Sequence, residues 1–143
     1  MPYKLLPDVA TADIAIEITG KDPSELLTSA AQAYIDISVD RKTVKPTVEK
    51  RIVLHAENTE KLLFDFLEEL IYLKDADYLI YADCSAVVTG KNGGRTCTAT
   101  LHCASIDPKA QKLKMDVKAV TQHMFEVKEQ TDKSWKATVV LDI

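Results

Sequence analysis

The stretch Asp13-Ile-Ala-Ile-Glu-Ile-Thr-Gly20-Lys-Asp22-Pro23-Ser-Glu25 changes its period midway. Ile14, Ile16 and Ile18 recur at every second residue, with Asp13, Ala15, Glu17 and Thr19 between them. That alternation predicts a strand with the isoleucines inward and the others outward. Gly20 ends it. Asp22 then offers an N-cap oxygen, Pro23 suits the first helical position because its missing N–H has no helical partner there, and Glu25 completes a capping-box-like arrangement. Leu27, Ala30, Ala31, Tyr34 and Ile37 follow at helical spacing, so a helix is expected to about Ser38.

The strand-helix unit recurs. Val48 to Ala56 alternates, with Val48, Ile52, Leu54 and Ala56 on one face, and Asn58 can cap a second helix from Thr59 to about Leu73. Leu63, Phe66, Leu67 and Leu70 form its apolar stripe, and Glu60, Asp65, Glu68 and Glu69 its wet side. A shift of 36 residues places Ile16 on Ile52, Asp22 on Asn58 and Tyr34 on Leu70 without a gap. A duplication and two uses of one amphipathic pattern explain this equally well. Val39 to Pro46, polar and ended by a proline, reads as a loop, and Tyr3 to Leu6 as a short strand or arm broken by Pro7.

The remainder is strand. Tyr78 to Thr89 and Arg95 to Ala104 flank Gly90-Lys-Asn-Gly-Gly94, a hairpin signal. Ile80, Ala82, Cys84, Ala86 and Val88 share one face with Cys97, Ala99, Leu101 and Cys103. Asp107-Pro108 turns the chain, Met115 to Val127 reads as one long strand, and Thr131-Asp-Lys-Ser134 leads into the last strand. There Trp135, Ala137, Val139, Leu141 and Ile143 alternate with Lys136, Thr138 and Asp142, Val140 being the exception. Two strand-helix units followed by an antiparallel β meander place the chain in the α+β class, with two helices packed against sheet and a single domain over 1–143.

Composition narrows the function. Hydrophobic residues make up 46% and charged residues 28% of the 143 residues, as in an ordinary globular domain rather than a disordered one. The net charge of −4 argues against strong direct binding to nucleic acid. The N-terminus lacks the apolar core of a signal peptide, and no apolar run is long enough to span a bilayer, so a cytoplasmic protein is expected. Cys84, Cys97 and Cys103 share faces with small apolar residues, the pattern of buried reduced thiols. A zinc site from His102 and Cys103 would need opposite faces of one strand.

No nucleophile-base motif or phosphate-binding glycine loop is present. His55 and His102 fall on polar strand faces. His123 shares parity with Thr121, Phe125 and Val127, which reads as a partly buried, hydrogen-bonded residue or as a partner contact. Asp13 is unusual inside a strand, where a turn role competes with ligation. With the chain ending at Ile143, a terminal carboxylate is expected one residue from Asp142: half of a hard-cation site, needing a further carboxylate from elsewhere.

Thr11-Ala-Asp13-Ile14, Phe66-Leu-Glu-Glu-Leu-Ile-Tyr-Leu73, Val117-Lys-Ala-Val-Thr-Gln-His123 and Val139-Val-Leu-Asp-Ile143 together resemble the archease family over nearly the whole chain. The Asp-Ile ending is the most specific of these, then Lys-Ala-Val-Thr. Family members commonly read Asp-His-Thr-Ala-Asp, whereas Val9 and Ala10 precede Thr11 here, with an aspartate at Asp8. Gln122 also stands where a tyrosine is usual. The resemblance implies a cytosolic metal-binding protein, not an enzyme, that serves as cofactor of an RtcB-type tRNA-splicing RNA ligase and promotes its guanylylation and turnover. It also implies an alternative: a chaperone-like modulator of a tRNA methyltransferase, with a structural cation. The implied ligands are Asp13, Asp142 and Ile143, the last through a main-chain or terminal oxygen, with Asp40 a lesser candidate. Such an all-oxygen set suits calcium first, then magnesium or manganese, rather than zinc. Lys118 and His123 are the candidates for a partner surface.

Overall fold

A computed structural model describes residues 2–6, 13–91 and 93–143. Pro7, Asp8, Val9, Ala10, Thr11, Ala12 and the hairpin residue Asn92 lie outside them. Strands β1 (Tyr3–Leu6) and β2 (Asp13–Gly20) precede helix α1 (Pro23–Ser38). After a single 3-10 turn at Arg41–Thr43 come β3 (Val48–Ala56), α2 (Thr59–Asp77), β4 (Leu79–Lys91), β5 (Gly94–Ser105), β6 (Ala119–Glu129) and β7 (Trp135–Asp142).

The two helix starts are built alike. Asp22 Oδ1 accepts from Glu25 N at 2.8 Å, and Asn58 Oδ1 accepts from Lys61 N at 2.8 Å. Both caps have extended backbones of nearly equal dihedrals. The Glu25 carboxylate reaches back to Lys21 N at 3.2 Å, one residue before the cap. The units differ where β2 meets its helix: a Cβ on Gly20 would lie 2.5 Å from Leu26 N, so only glycine permits this approach, whereas the equivalent residue is Ala56. Helix α2 runs one turn beyond the expected end, to Asp77, before Tyr78 adopts a left-handed conformation.

All pairings between strands are antiparallel, in an α+β fold of two sheets. One has the order β1-β2-β7-β6 and the other β3-β5-β4. The meander is therefore divided: the β4–β5 hairpin joins β3, and the β6–β7 hairpin joins the N-terminal strands. Both helices bury their stripes against this framework. Leu26, Leu27, Ala30 and Ala31 of α1 and Leu63, Phe66, Leu67 and Leu70 of α2 are fully enclosed with Ile16, Ile18, Val139 and Leu141. Cys84, Cys97 and Cys103 are free and buried; burial pushes the Cys84 thiol up to about 12 and that of Cys97 to about 11, so both stay protonated.

Three expectations are corrected. Ala15 lies on the outer face of β2 but is buried there rather than exposed, opposite the buried Val140. A bulge between Tyr81 and Asp83 turns the Tyr81 ring inward, where its hydroxyl donates to Leu70 O at 2.6 Å. The strand expected from Met115 begins only at Ala119. The preceding segment uses its donors on the end of α1: Lys114 N donates to Ser38 O at 2.9 Å, Met115 N to Ile37 O at 3.1 Å and Lys114 Nζ to Asp36 O at 3.1 Å. With Val39 N donating to Ile35 O at 3.0 Å, the last four carbonyls of α1 all have partners.

Helix α1 also covers the free edge of β4. Ser24 Oγ accepts from Val88 N at 2.7 Å, Thr28 Oγ1 accepts from Ala86 N at 3.0 Å and donates to Ala86 O at 3.3 Å, and Gln32 Nε2 donates to Cys84 O at 3.2 Å. The spacings match because four helical residues advance about 6 Å and two strand residues about 6.6 Å. Polar residues that look like a solvated helix face thus take the place of a neighbouring strand. Thr28→Val keeps the shape and strands both Ala86 backbone groups, so it is expected to lower unfolding free energy by about 1–3 kcal/mol in urea titration. An unchanged midpoint would show that the edge does not need the hydroxyl.

The outer face of β3-β5-β4 carries a cross-strand clamp. His102 Nδ1 lies 2.6 Å from Asp83 Oδ1 and Nε2 lies 3.1 Å from Glu49 Oε1. Two ionised carboxylates require both ring nitrogens to donate, so the Asp83 hydrogen bond first and then that of Glu49 raise the His102 pKa above its usual 6.5. A raised folded-state value means that the clamp stabilises fully below the ordinary histidine range and fades as pH rises through the raised value. The stability lead of the wild type over His102→Gln is therefore expected to be larger at about pH 5.5 than at about pH 8.5. An equal lead at both would remove the clamp from the pH response.

Candidate functional site

The antiparallel register of β2 and β7 runs from Gly20↔Trp135 to Asp13↔Asp142. Ile14, Ile16 and Ile18 face the core together with Leu141, Val139 and Ala137, so period two sends Asp13 and Asp142 to the opposite, outer face. Directly opposite residues have Cβ atoms about 4.5–5.5 Å apart, within reach of one shared ion. Both residues are half-buried. Among the described residues neither side chain has a hydrogen bond or an ion pair, whereas other carboxylates such as Asp36 and Asp116 are paired. Two unpartnered carboxylates facing each other repel, and a hard cation is the group that would offset this.

Neighbouring elements frame the pair. Ala119 of β6 stands opposite Asp142 on its other side, and Lys118 N donates to Asp142 O at 2.7 Å. Ile143 follows directly, half-buried and packed against the core. On the same outer face, next along β6, lies Thr121, whose buried Oγ1 has no hydrogen-bond partner among the described residues. Sequence reasoning passed over this hydroxyl, because only the β6–β7 register places it beside Asp142.

The remaining candidates lie apart. Asp40 does not join the carboxylate pair: its side chain accepts from Lys42 N at 3.2 Å and caps the 3-10 turn, and among the described residues no three His, Cys, Asp or Glu side chains converge as a metal cluster. His55 Nδ1 contacts Thr96 Oγ1 at 2.9 Å on a polar face. His123 is exposed rather than partly buried. The register of β6 against β7 shifts between Thr121 and Glu126, with Met124 at a φ of 56°, so the parity that grouped His123 with Phe125 and Val127 does not hold. Lys118 is exposed and rims a cleft of about 160 Å³ with Glu68, Ile71, Tyr72, Ala119 and Val120.

If the two aspartates repel, removing one charge relieves the fold. Without divalent cations and at low salt, Asp142→Asn is expected to gain about 0.2–1 kcal/mol of stability in thermal unfolding. A loss would mean that the carboxylates are held by attraction instead.

Residues 3–143 match the Archease protein family (MTH1598/TM1083). The chain is 33% identical to the protein archease of Pyrococcus furiosus over 133 residues, covering 93% of this chain and 94% of that protein. It is 35% identical over 143 residues to that of Archaeoglobus fulgidus, covering 100% of both. The solution structure of Methanobacterium thermoautotrophicum protein 1598 superimposes with a TM-score of 0.84 at 27% identity, covering 99% of each chain. Family match, full-length identity and shared architecture agree, and the chain belongs to the archease family.

Proposed function

We propose that this protein is a metal-binding activator, not itself an enzyme, of an RtcB-type RNA ligase. It would promote the ligase's guanylylation and turnover in cytoplasmic tRNA splicing or RNA repair. The observation that carries the metal reading is the facing pair Asp13 and Asp142, unpartnered among the described residues and set by the β2–β7 register. Family membership supports the ligase as partner.

The donor chemistry fits a hard cation. Asp13, Asp142 and a main-chain oxygen of Ile143 would hold calcium, with magnesium or manganese as substitutes. When bound, the ion would neutralise the facing charges and add a positive Lewis-acidic centre to an otherwise acidic edge. The chain's own residues do the rest. The β2–β7 ladder fixes the spacing of the carboxylates, and the Lys118 amide anchors the Asp142 carbonyl. Lys118, just before β6, and His123, within it, are both exposed and would give the ligase a surface to read. The net charge of −4 favours contact with an RNA enzyme over contact with the RNA backbone.

Single-turnover guanylylation of the ligase from the same source, with GTP and divalent ion, tests this. The wild-type protein at substoichiometric amounts is expected to accelerate the step. Asp13→Ala and Asp142→Ala, folded by circular dichroism, are expected to lose that effect. Full stimulation by both variants would remove the cation from the mechanism. No stimulation by the wild type would overturn the ligase reading in favour of a chaperone-like partner of a tRNA methyltransferase, where the cation only stabilises the fold.

A further inference from the structure

We propose that the Thr121 hydroxyl is a third side-chain oxygen of the cation centre, alongside Asp13 and Asp142; this rests on the metal reading above. The register of β6 on β7 pairs Ala119 with Asp142, Val120 with Leu141 and Thr121 with Val140. Thr121 therefore shares the outer face with Asp142 and is its diagonal cross-strand neighbour. Such neighbours lie about 7–8 Å apart at Cα, with side chains closer, a gap that one ion can bridge.

The described surroundings offer this hydroxyl no protein partner. Its Oγ1 is buried and unpaired among the described residues. Its neighbours on the face are apolar: Val140 at 0% and Ala15 at 1% exposure. Buried hydroxyls nearly always find a partner, and an orphan beside two unpartnered carboxylates calls for one that all three groups share. Ala119, opposite Asp142, carries only a methyl group and offers no competing polar side chain. Pairing of β6 to β7 stops after Thr121 and resumes at Glu126, so Thr121 is the last residue held in register before the bulge.

The chemistry favours a hydroxyl here. Calcium takes six to eight hard oxygens. A third carboxylate would add repulsion to a pair that already faces itself, whereas a neutral hydroxyl adds a ligand without charge. Its location on an ordered strand, rather than in the bulge, fixes the donor before the ion arrives.

Calcium titration by calorimetry, together with thermal unfolding with and without calcium, tests the assignment on the intact chain. Thr121→Val keeps the shape and removes the oxygen; Thr121→Ser keeps the oxygen. Thr121→Val is expected to weaken calcium binding about tenfold, and Thr121→Ser to stay near the wild type. The calcium-free midpoint of Thr121→Val should equal or exceed that of the wild type, because a methyl group replaces an unpaired hydroxyl. Calcium binding by Thr121→Val as tight as by the wild type would overturn the proposal. So would an equal loss of stability with and without calcium, which marks a structural role. Asp13→Ala in the same titration separates the two levels. If it loses binding while Thr121→Val does not, only the threonine assignment fails; if it too binds like the wild type, or if the wild type binds no calcium, magnesium or manganese, the centre itself is wrong.

Discussion

The ladder between β2 and β7 is the constraint on which the rest depends. It joins the start of the chain to its end, from Gly20↔Trp135 to Asp13↔Asp142. Because side chains alternate with period two, a slip of β2 by one residue would turn Ile16 and Ile18 away from the core and Asp13 towards it. The apolar pattern therefore specifies the register strongly. The carboxylates at the end of the ladder are carried into position by that hydrophobic demand rather than by any attraction of their own. Stability made elsewhere in the ladder sets two like charges opposite each other.

A second set of interactions closes the molecule around that ladder. Helix α1 leaves few backbone groups unsatisfied at its ends. Asp22 caps its start, and the segment carrying Lys114 and Met115 supplies donors to its final carbonyls. Along its length, Ser24, Thr28 and Gln32 satisfy the open edge of β4, so one helix both fills the core and blunts an edge that could pair with another chain. Lys74, near the end of α2, ties the same connecting segment from the other side: its buried ammonium donates to Asp116 Oδ1 and Val117 O, each at 2.6 Å. The segment leading into β6 is thus fixed by both helices before Lys118 reaches Asp142.

The same arrangement gives the candidate site its character. Backbone hydrogen bonding sets the geometry, while its side chains stand apart from the ion pairs among the described residues. The clamp at His102 is the contrasting case: Asp83 and Glu49 are also carboxylates on a sheet, yet both are consumed by the imidazole. Acidic residues alone therefore do not mark a site in this molecule. What distinguishes Asp13 and Asp142 is that they face each other and have no side-chain partner among the described residues.

Much was legible locally. Alternation, capping residues and a glycine hairpin are short-range physics, so β2, β3, α1, α2 and the β4–β5 turn follow from neighbouring residues, and the family motifs pointed to Asp13, Asp142 and Ile143. What failed depended on distant partners. The contacts of Ser24, Thr28 and Gln32 with β4 are invisible in the sequence because nothing nearby announces the β4 edge. The parity expected along β4 and at His123 fails at register shifts, which carry no local signal. Thr121 went unnoticed, since a threonine in a strand is ordinary until a register places it beside a carboxylate. By itself the sequence determined which segments are strands and helices and which faces are apolar, because those follow from period and capping. Only the tertiary structure decided that Asp13 and Asp142 stand opposite each other, that Thr121 shares their sheet face and that Asp40 caps a turn apart from them. Pairing between chain ends is set by the burial of whole strand faces, a property that no local stretch contains.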